Sequence, residues 1–499
     1  MSRRRMAHLG CFRIGRVAAW ALLGLAASTL PAENAPADGP PARMAIQADV
    51  VYVGNGQTFP KGVVLIENGR IRALGCDLSI PEDTPRIELG GVSITPGLID
   101  ANARLETADL ITASRKRTDR DAVPPTPERQ SDASHVDELE PSDADSPLAV
   151  GVRPNLVVNE QGSEVVPHTR VLDSLDLCSG DFDRLVRGGV TTVYASPDAS
   201  AVIGPRGAVL RTAGPPKERV LRQTAAVKAV IGSEPSMVGT YNRPPSRYSA
   251  SLYARRPNSR MGLTWVFRKA FYDAQRRGAE LPAYGSDTAS PEASEVLRQV
   301  RGGEVPLRIQ ARIQQDILTA LRLTEEFDLR FTLEEATEAY RCLDELKARS
   351  VPVVFGPIYE QPNGIRARTS EARRSRYYTF GALLKAGIDT ALSAQELREE
   401  DGLARQAMYA MRFGVEFDQA LRAVTQTPAR LLGLETELGT LEPGKRADLV
   451  VWSGRPFAAT SEVLMVVIEG ETVLDRRGAE TPSVARAGGP TTSTRENIR

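Results

Sequence analysis

Two polar side chains stand where a run of apolar residues ends. Asn102 and Arg104 follow Gly97-Leu98-Ile99-Asp100 and are two positions apart. On a β-strand, residues at that spacing point to the same face, so their side chains can converge on one ligand. An amide and a guanidinium form hydrogen bonds but are poor zinc ligands, because zinc sites use imidazole, thiolate or carboxylate donors.

Side chains that commonly bind zinc are scarce in this sequence. Only three histidines occur in 499 residues, and His8 lies in a segment that we expect to be removed, which leaves His135 and His168. The cysteines outside that segment are widely spaced and form no Cys-x-x-Cys pair, so we expect core or free thiols rather than a disulfide framework or a zinc site. They are Cys76, Cys178 and Cys342.

The overall charge argues against a nucleic-acid partner. Lysine and arginine together number 63, and aspartate and glutamate also number 63. A chain with zero net charge has no global field to hold a polyanion. The basic segment Arg243–Arg260, with Tyr248 and Tyr253, is therefore interpreted as a solvated loop.

The first residues have the pattern of a targeting segment. Five arginines up to Arg16 precede the apolar run Val17–Leu30, which is followed by Pro31-Ala32. This run is shorter than the ~20 residues of a membrane span and is typical of a secretory signal. We expect a signal peptide over residues 1–32, a linker over 33–44, an exported protein in the periplasm or medium, and no membrane span in the mature chain.

Short β-type runs occur at both ends of the mature chain. Val63–Glu67 and Arg70–Leu74 flank Asn68-Gly69, a strong hairpin signal, and Ala447–Trp452 and Val463–Ile468 lie near the far end. Neither end has enough strands for a stable sheet alone. We therefore expect residues 45–95 and 435–478 to form one composite β-sandwich, with residues 479–499 as a disordered tail.

Between the two ends, apolar strands alternate with amphipathic helices. This alternation over residues 96–434 predicts an α/β fold, a TIM-like (β/α)8 barrel. Helices are expected at Asp316–Phe327 and Glu335–Arg349, and Thr427 with Pro428 is expected to open the last one. A polar insertion at 107–147 cannot bury enough apolar surface to order itself. The expected strands are Thr191–Ala195, Ala226–Val230, Val305–Ile309, Leu329–Leu333, Val351–Phe355 and Ile388–Leu392.

The string from Ser93 to Arg104 resembles the signature of the amidohydrolase superfamily, in which Pro-Gly-Leu-Ile-Asp-x-His-x-His ends the first barrel strand. Ile203–Val209 is similar to a loop of the imidazolonepropionase-like branch, and Leu438–Trp452 to the return of the chain into the sandwich. The resemblance implies a metal-dependent hydrolase of non-peptide C–N bonds, such as cyclic amides, that uses zinc or another divalent metal.

Compared with the family pattern, each expected metal-ligand position holds another residue. Asn102 and Arg104 replace the first two histidines, and Gln310 and Glu335 stand at the two later ones. Ala394, or Gln395 by a one-residue shift, stands where the family has aspartate. We therefore predict no metal, no cofactor and no catalytic residue of the family type at these vestigial positions.

A charge argument suggests what replaced the metal. Ligand positions of the family converge, so Arg104 and Glu335 should approach each other, and a buried carboxylate is costly without a cation. We predict that the Arg104 guanidinium pairs with Glu335. Lys228, in an apolar strand, could in principle assist a metal, but a lone lysine without histidines holds little.

Two functional interpretations follow. The first is an inactive relative that serves as a binding or assembly module, with a small-molecule ligand at the barrel mouth. The second is an active hydrolase that acts on C–N bonds through a non-standard site. The residues leave the ligand and the oligomeric state open.

Overall fold

The computed structural model describes residues 43–107, 164–237, 257, 259–281, 289–358, 377–398 and 401–477. The expected signal peptide, most of the linker, nearly all of the 107–147 insertion, His135, nearly all of the basic Arg243–Arg260 segment and the tail lie outside these ranges. In the ranges that are described, no helix has the length and apolar character that crossing a membrane requires.

Strands occur along the whole described chain. In order they are β1 Arg43–Gln47, β2 Val50–Tyr52, β3 Thr58–Pro60, β4 Val63–Glu67, β5 Arg70–Gly75, β6 Arg86–Glu88, β7 Ser93–Pro96, β8 Leu98–Ala103, β9 Val190–Ala195, β10 Ile203–Arg211, β11 Val220–Val230, β12 Leu307–Ala311, β13 Phe331–Glu335, β14 Val353–Phe355, β15 Thr390–Leu392, β16 Leu449–Trp452, β17 Val463–Ile468 and β18 Glu471–Asp475.

Helices lie mainly between the later strands. They are α1 Gly180–Arg187, α2 Glu234–Met237, α3 Arg260–Gly278, α4 Pro291–Arg301, α5 Gln314–Phe327, α6 Leu343–Ala348, α7 Thr379–Lys385, α8 Leu403–Arg412, α9 Phe417–Ala423 and α10 Gln426–Leu431, with 3-10 turns at Val171–Asp173 and Ala339–Arg341.

The two ends of the described chain combine in two small sheets. One has the order β5-β4-β1-β6 and the other β18-β17-β16-β7-β2-β3, so β16 from the far end pairs with β7 from the near end. The β4–β5 hairpin turns at Asn68-Gly69, both with positive φ, as the sequence predicted. Strand β1 begins at Arg43, two residues before the expected boundary at residue 45.

The third sheet is the barrel. Its eight strands follow chain order from β8 to β15. Hydrogen bonds also link the end of β15 back to β8: the Arg104 amide donates to the Gln395 carbonyl at 3.2 Å and Ser393 Oγ donates to the Asn102 carbonyl at 3.0 Å. The predicted TIM-like barrel with a small terminal β-domain is confirmed.

One barrel strand departs from the (β/α)8 expectation. The sequence interpretation treated Ile203–Val209 as a loop, but it lies in β10, which is antiparallel to both β9 and β11. This interpretation was wrong because Pro205 and Gly207 look like loop residues. In the structure they lie at irregular points of the ladder, where register shifts tolerate such residues.

Two helix expectations also need correction. The segment Glu335–Arg349 is not one helix: Glu335 and Ala336 have positive φ, so helix α6 begins only at Leu343. The last helix begins after Thr425 rather than Thr427, two residues earlier than predicted, and the Thr425 side chain makes no capping hydrogen bond. By contrast, the helix predicted at Asp316–Phe327 is confirmed as α5.

The sandwich and the barrel share one nearly continuous strand. Only Gly97 separates β7 from β8, and its amide donates to the Asp448 carbonyl at 2.9 Å. A Cβ at Gly97 would lie 2.2 Å from Thr191 Oγ1, so only glycine fits there. Nearby, Trp452 Nε1 donates to Thr95 Oγ1 at 2.9 Å across the junction. The contacts with the sandwich therefore fix the position at which β8 begins.

A buried carboxyl group lies at this junction. Asp448 accepts a hydrogen bond from the Glu469 amide at 2.9 Å. Burial raises the pKa of Asp448 to about 6, although that hydrogen bond opposes the shift. The folded protein therefore binds this proton more tightly than the unfolded chain does, since the ordinary value is 3.8.

Replacing Asp448 by Asn should remove one pH-dependent component of stability. Because the folded-state pKa is raised, this carboxyl stabilises the fold below about pH 4, and that stability is lost as pH rises through about 6. The loss amounts to about 3 kcal/mol. Urea unfolding from about pH 4 to pH 7 measures it: the free energy of unfolding of wild type minus that of Asp448→Asn should fall by that amount. A difference that stays constant would contradict the assignment.

Candidate functional site

The residues selected from the sequence meet at the carboxyl end of the barrel. Asn102 lies on β8 and Gln310 on β12, Arg104 follows β8, and Glu335 ends β13. In barrels of this kind the carboxyl ends of the strands form the mouth where ligands bind. All four side chains are buried, Arg104 retaining 9% of its exposed area.

Glu335 is the centre of a charge cluster. Its Oε1 lies 3.2 Å from Nη2 of Arg104, and its Oε2 accepts a hydrogen bond from Nε of Arg312. Arg312 also forms an ion pair with Glu234 of α2. The structure thus brings Arg104 and Glu335 together, and a second arginine joins them.

Arg104 is held from several sides. Arg398 donates to its carbonyl oxygen, and the Arg104 amide donates to Gln395. Burial works against its charge, but the carboxylates of Glu396 and Glu335 raise the pKa of the guanidinium. Arg104 therefore remains a fixed positive charge in the mouth.

Gln395, rather than Ala394, supplies a side chain to this cluster. Its Nε2 donates to Glu335 Oε1 at 2.9 Å. Ala394 contributes its backbone amide, which donates to Asp100 Oδ2 at 3.0 Å. Burial raises the pKa of Asp100 despite this hydrogen bond. Of the two residues that the sequence offered at this position, Gln395 is therefore the one whose side chain reaches Glu335.

Two buried carboxamides have no partner. Neither polar atom of the Asn102 side chain, nor of the Gln310 side chain, has a hydrogen-bond partner within the described parts of the chain. Asn102 is 0% and Gln310 1% exposed. Leaving a buried polar group unpaired costs about 1 to 3 kcal/mol, and a polar group bound beside either carboxamide would recover part of that cost.

A second charge cluster was missed by the sequence analysis. Glu334 accepts a hydrogen bond from Arg308 Nε at 2.6 Å and lies 3.1 Å from Lys228 Nζ. Lys228 also donates to Ser196 Oγ at 2.8 Å. Arg308 stacks on the ring of Tyr194, 4.0 Å from its centroid. The sequence signal for this cluster was the presence of charged residues inside otherwise apolar strands. Which of them pair depends on distances across the barrel.

For Lys228 and for Glu334, burial shifts the pKa in one direction and the oppositely charged neighbours shift it in the other. Burial lowers the pKa of Lys228, while Glu334 raises it and Arg104 lowers it further. The pKa of Glu334 is held below its usual range: burial alone would raise it, but Lys228 and Arg308 outweigh that effect. Glu334 is therefore ionised and Lys228 is the group of this cluster that can titrate.

The remaining candidate ligands lie elsewhere. His168 is half-buried in a turn, and its carbonyl accepts a hydrogen bond from Arg206. Cys76 and Cys178 are exposed free thiols and Cys342 is a buried one. Across the residues that the structure describes, no three side chains of His, Cys, Asp or Glu are grouped as a metal ion would need.

Comparisons with known proteins agree with this fold. The amidohydrolase family model matches residues 365–474. The chain is 22% identical to "Amidohydrolase tasK" of Hapsidospora irregularis over 85% of its own length but only 41% of that protein. It is 24% identical to the imidazolonepropionase of Rhizorhabdus wittichii, over 80% of this chain and 90% of that one.

A solved structure extends the likeness to three dimensions. The crystal structure of an amidohydrolase from Thermotoga maritima MSB8 superposes with a TM-score of 0.69 at 27% identity, covering 87% of this chain and all of that one. The family model, the imidazolonepropionase relative and this structure together support a relationship to the amidohydrolase superfamily.

Replacing Glu335 by Gln should destabilise the protein strongly. The change removes the carboxylate that pairs with the buried guanidinium of Arg104 and one of the two that pair with Arg312, which keeps Glu234. Breaking a buried pair in this way costs about 3 to 5 kcal/mol. Urea unfolding measures the loss. Glu326→Gln is the matched control, because its pair with Arg268 is solvent-exposed and contributes about 1 kcal/mol or less. Equal effects of the two substitutions would show that the Glu335 cluster is not electrostatically important.

Proposed function

We propose that this chain is an exported amidohydrolase-fold protein that has lost metal-dependent hydrolysis and acts as a binding or assembly module, with a small-molecule site at the barrel mouth. The observation that carries the proposal is that the Glu335 carboxylate is already hydrogen-bonded. Both of its carboxylate oxygens already accept from Arg104, Arg312 and Gln395.

The chemistry of the donors supports the loss of the metal. Arg104 and Arg312 cannot lose their protons, so they repel a cation at the carboxylate that could otherwise bind it. Asn102 and Gln310 offer amide groups in place of the imidazoles that zinc sites use. Without a bound metal, the attacking water keeps its pKa near ~15.7 and no Lewis acid polarises the carbonyl. The residues present therefore do not fit the family's metal.

The names of the relatives give the kind of chemistry that loss of the metal would remove. The Rhizorhabdus relative is named an imidazolonepropionase and the Thermotoga structure an amidohydrolase. The family activity on non-peptide C–N bonds would be the ancestral reaction of this barrel, but function resides in the site and not in the fold. The unpaired carboxamides of Asn102 and Gln310 support a polar ligand in the same mouth.

Metal analysis tests this proposal directly. The mature protein, purified without chelators, should contain far less than one equivalent of zinc, manganese or iron by mass spectrometry. Any turnover of cyclic amides, lactams or dipeptides should be unchanged by a chelator or by added metal, because no metal takes part. One tightly bound equivalent, or turnover that a chelator abolishes, would refute the proposal.

A partial restoration provides the matched control. Replacing Asn102 and Arg104 together by His should not produce metal-dependent activity, because Gln310, Glu335 and Ala394 still deny the remaining ligands. Activity gained from this pair alone would show that the later positions are wrongly assigned.

Export is a separate part of the proposal. The mature chain should begin near residue 33, because the arginine-rich start and the Val17–Leu30 run are typical of a cleaved signal. Intact-mass measurement of protein recovered outside the cytoplasm determines that end. Leu23→Arg, which interrupts the apolar run, should leave the full-length chain inside the cell. Finding wild-type chain with residues 1–32 intact and in the cytoplasm would contradict export.

A second candidate function is hydrolysis of C–N bonds through a non-standard, metal-free site. The observation that favours it is the contact between Ser196 and Lys228, a pairing of the kind that some hydrolases use as nucleophile and base.

A further inference from the structure

We propose that Ser196 and Lys228 form a nucleophile–base pair that accepts an acyl group from a small amide or ester without a metal ion. This goes beyond the proposed binding function, and it rests on the part of that function that places a small polar ligand in the barrel mouth.

The geometry of the pair is the first support. Lys228 Nζ donates to Ser196 Oγ at 2.8 Å, and the Ser196 hydroxyl donates to the Pro197 carbonyl at 3.3 Å. Once Lys228 is neutral, rotation of the hydroxyl toward Nζ brings its proton within the range at which a base takes it. Ser196 directly follows β9, and Lys228 lies near the end of β11. Both are therefore at the carboxyl end of the barrel, where barrel enzymes carry their reacting groups. They are buried, with exposures of 1% and 0%.

The charge balance around Lys228 is the second support. The groups that face it are Glu334, Glu335, Arg308 and Arg104. Arg308 already pairs with Glu334 and cannot lose its proton, so this carboxylate keeps a cation when Lys228 becomes neutral. Glu335 is likewise paired with arginines.

A neutral lysine is therefore compatible with this site. The pKa of Lys228 is lowered from 10.5, first by burial and then by Arg104, although Glu334 opposes the change. A buried lysine whose pKa is lowered can act as a general base in its neutral form.

The unpaired carboxamides are the third support, because a nucleophile for acyl transfer needs hydrogen-bond donors for the oxyanion. The Ser196 amide donates at 2.8 Å to the carbonyl of Ala103, the residue that follows Asn102. On the other side, Gln310 pairs in register with Val230, two residues after Lys228. Asn102 and Gln310 thus lie on the strands on either side of the pair, and their side-chain N–H groups have no partner in the described structure.

The reaction balances without a metal or a redox partner. Ser196 Oγ attacks the carbonyl carbon while its proton passes to Lys228 Nζ, and the oxyanion accepts from the two amide groups. Collapse of the intermediate breaks the C–N or C–O bond, and Lys228 returns the proton to the leaving amine or alcohol. Water then hydrolyses the ester on Ser196, with Lys228 taking and returning the proton in the same way.

Sulfonylation with methanesulfonyl fluoride tests the pair. This reagent is small enough for a buried site and forms a stable ester on an activated serine as fluoride leaves. Peptide mapping of the treated full-length mature protein should find the adduct on Ser196, and the rate should rise with pH to a midpoint below 10.5. No adduct on Ser196, or one only on other residues, would overturn the proposal.

Variants test whether Lys228 acts as a base or only as a buried positive charge. Lys228→Arg keeps a positive charge beside Glu334 but cannot accept a proton, so the rate of modification of Ser196 should fall at least about 100-fold and lose its pH midpoint. Ser294→Ala is the matched control, since Ser294 is a buried serine of α4 and should leave the rate unchanged. An unchanged rate in Lys228→Arg would refute the role of Lys228.

Repeating the sulfonylation in the presence of a chelator distinguishes the failure of this proposal from the failure of the proposed loss of the metal. Modification that persists in the chelator supports the metal-free pair. Modification of Ser196 that the chelator abolishes would overturn both proposals, whereas a metal-free protein without any adduct on Ser196 would overturn the Ser196–Lys228 pair alone.

Discussion

The burial of two consecutive carboxylates at the end of β13 is the constraint on which the barrel mouth depends. Ionised carboxylates are costly away from water unless cations and hydrogen bonds compensate them. Glu334 forms ion pairs with Lys228 and Arg308, whereas Glu335 forms them with Arg104 and Arg312. Glu335 has a positive φ, and the two carboxylates belong to different clusters. Because these cations come from three other parts of the sheet, the pairs also join the strands at the mouth.

Much of the fold could be predicted from local patterns. The Asn68-Gly69 hairpin and helix α5 follow from turn residues and from helical periodicity, which short segments determine by themselves. Strand β10 could not be predicted in this way, because its Pro205 is tolerated only at a register shift that depends on the neighbouring strands. The break after Glu335 likewise depends on tertiary contacts that hold this residue at positive φ.

The site was predictable only where a known pattern gave spatial information. The resemblance to the superfamily placed Arg104 and Glu335 at converging positions, and the structure has them 3.2 Å apart. Nothing similar located Ser196 beside Lys228, since 32 residues separate them and their contact depends on how the strands cross the barrel. Whether the carboxamide of Gln310 has a partner is also a property of packing and not of sequence.

The strand that joins sandwich and barrel also bears on how the protein is made. The partner of β7 is β16, and the Thr95–Trp452 hydrogen bond joins residues 357 positions apart. During synthesis from the amino terminus, β7 must remain without this partner until almost the whole chain has been translated. Contacts of such long range form slowly because the intervening chain must first be ordered. The sheet that anchors the first barrel strand, with Asn102 at its end, therefore cannot be completed before β16 has been made.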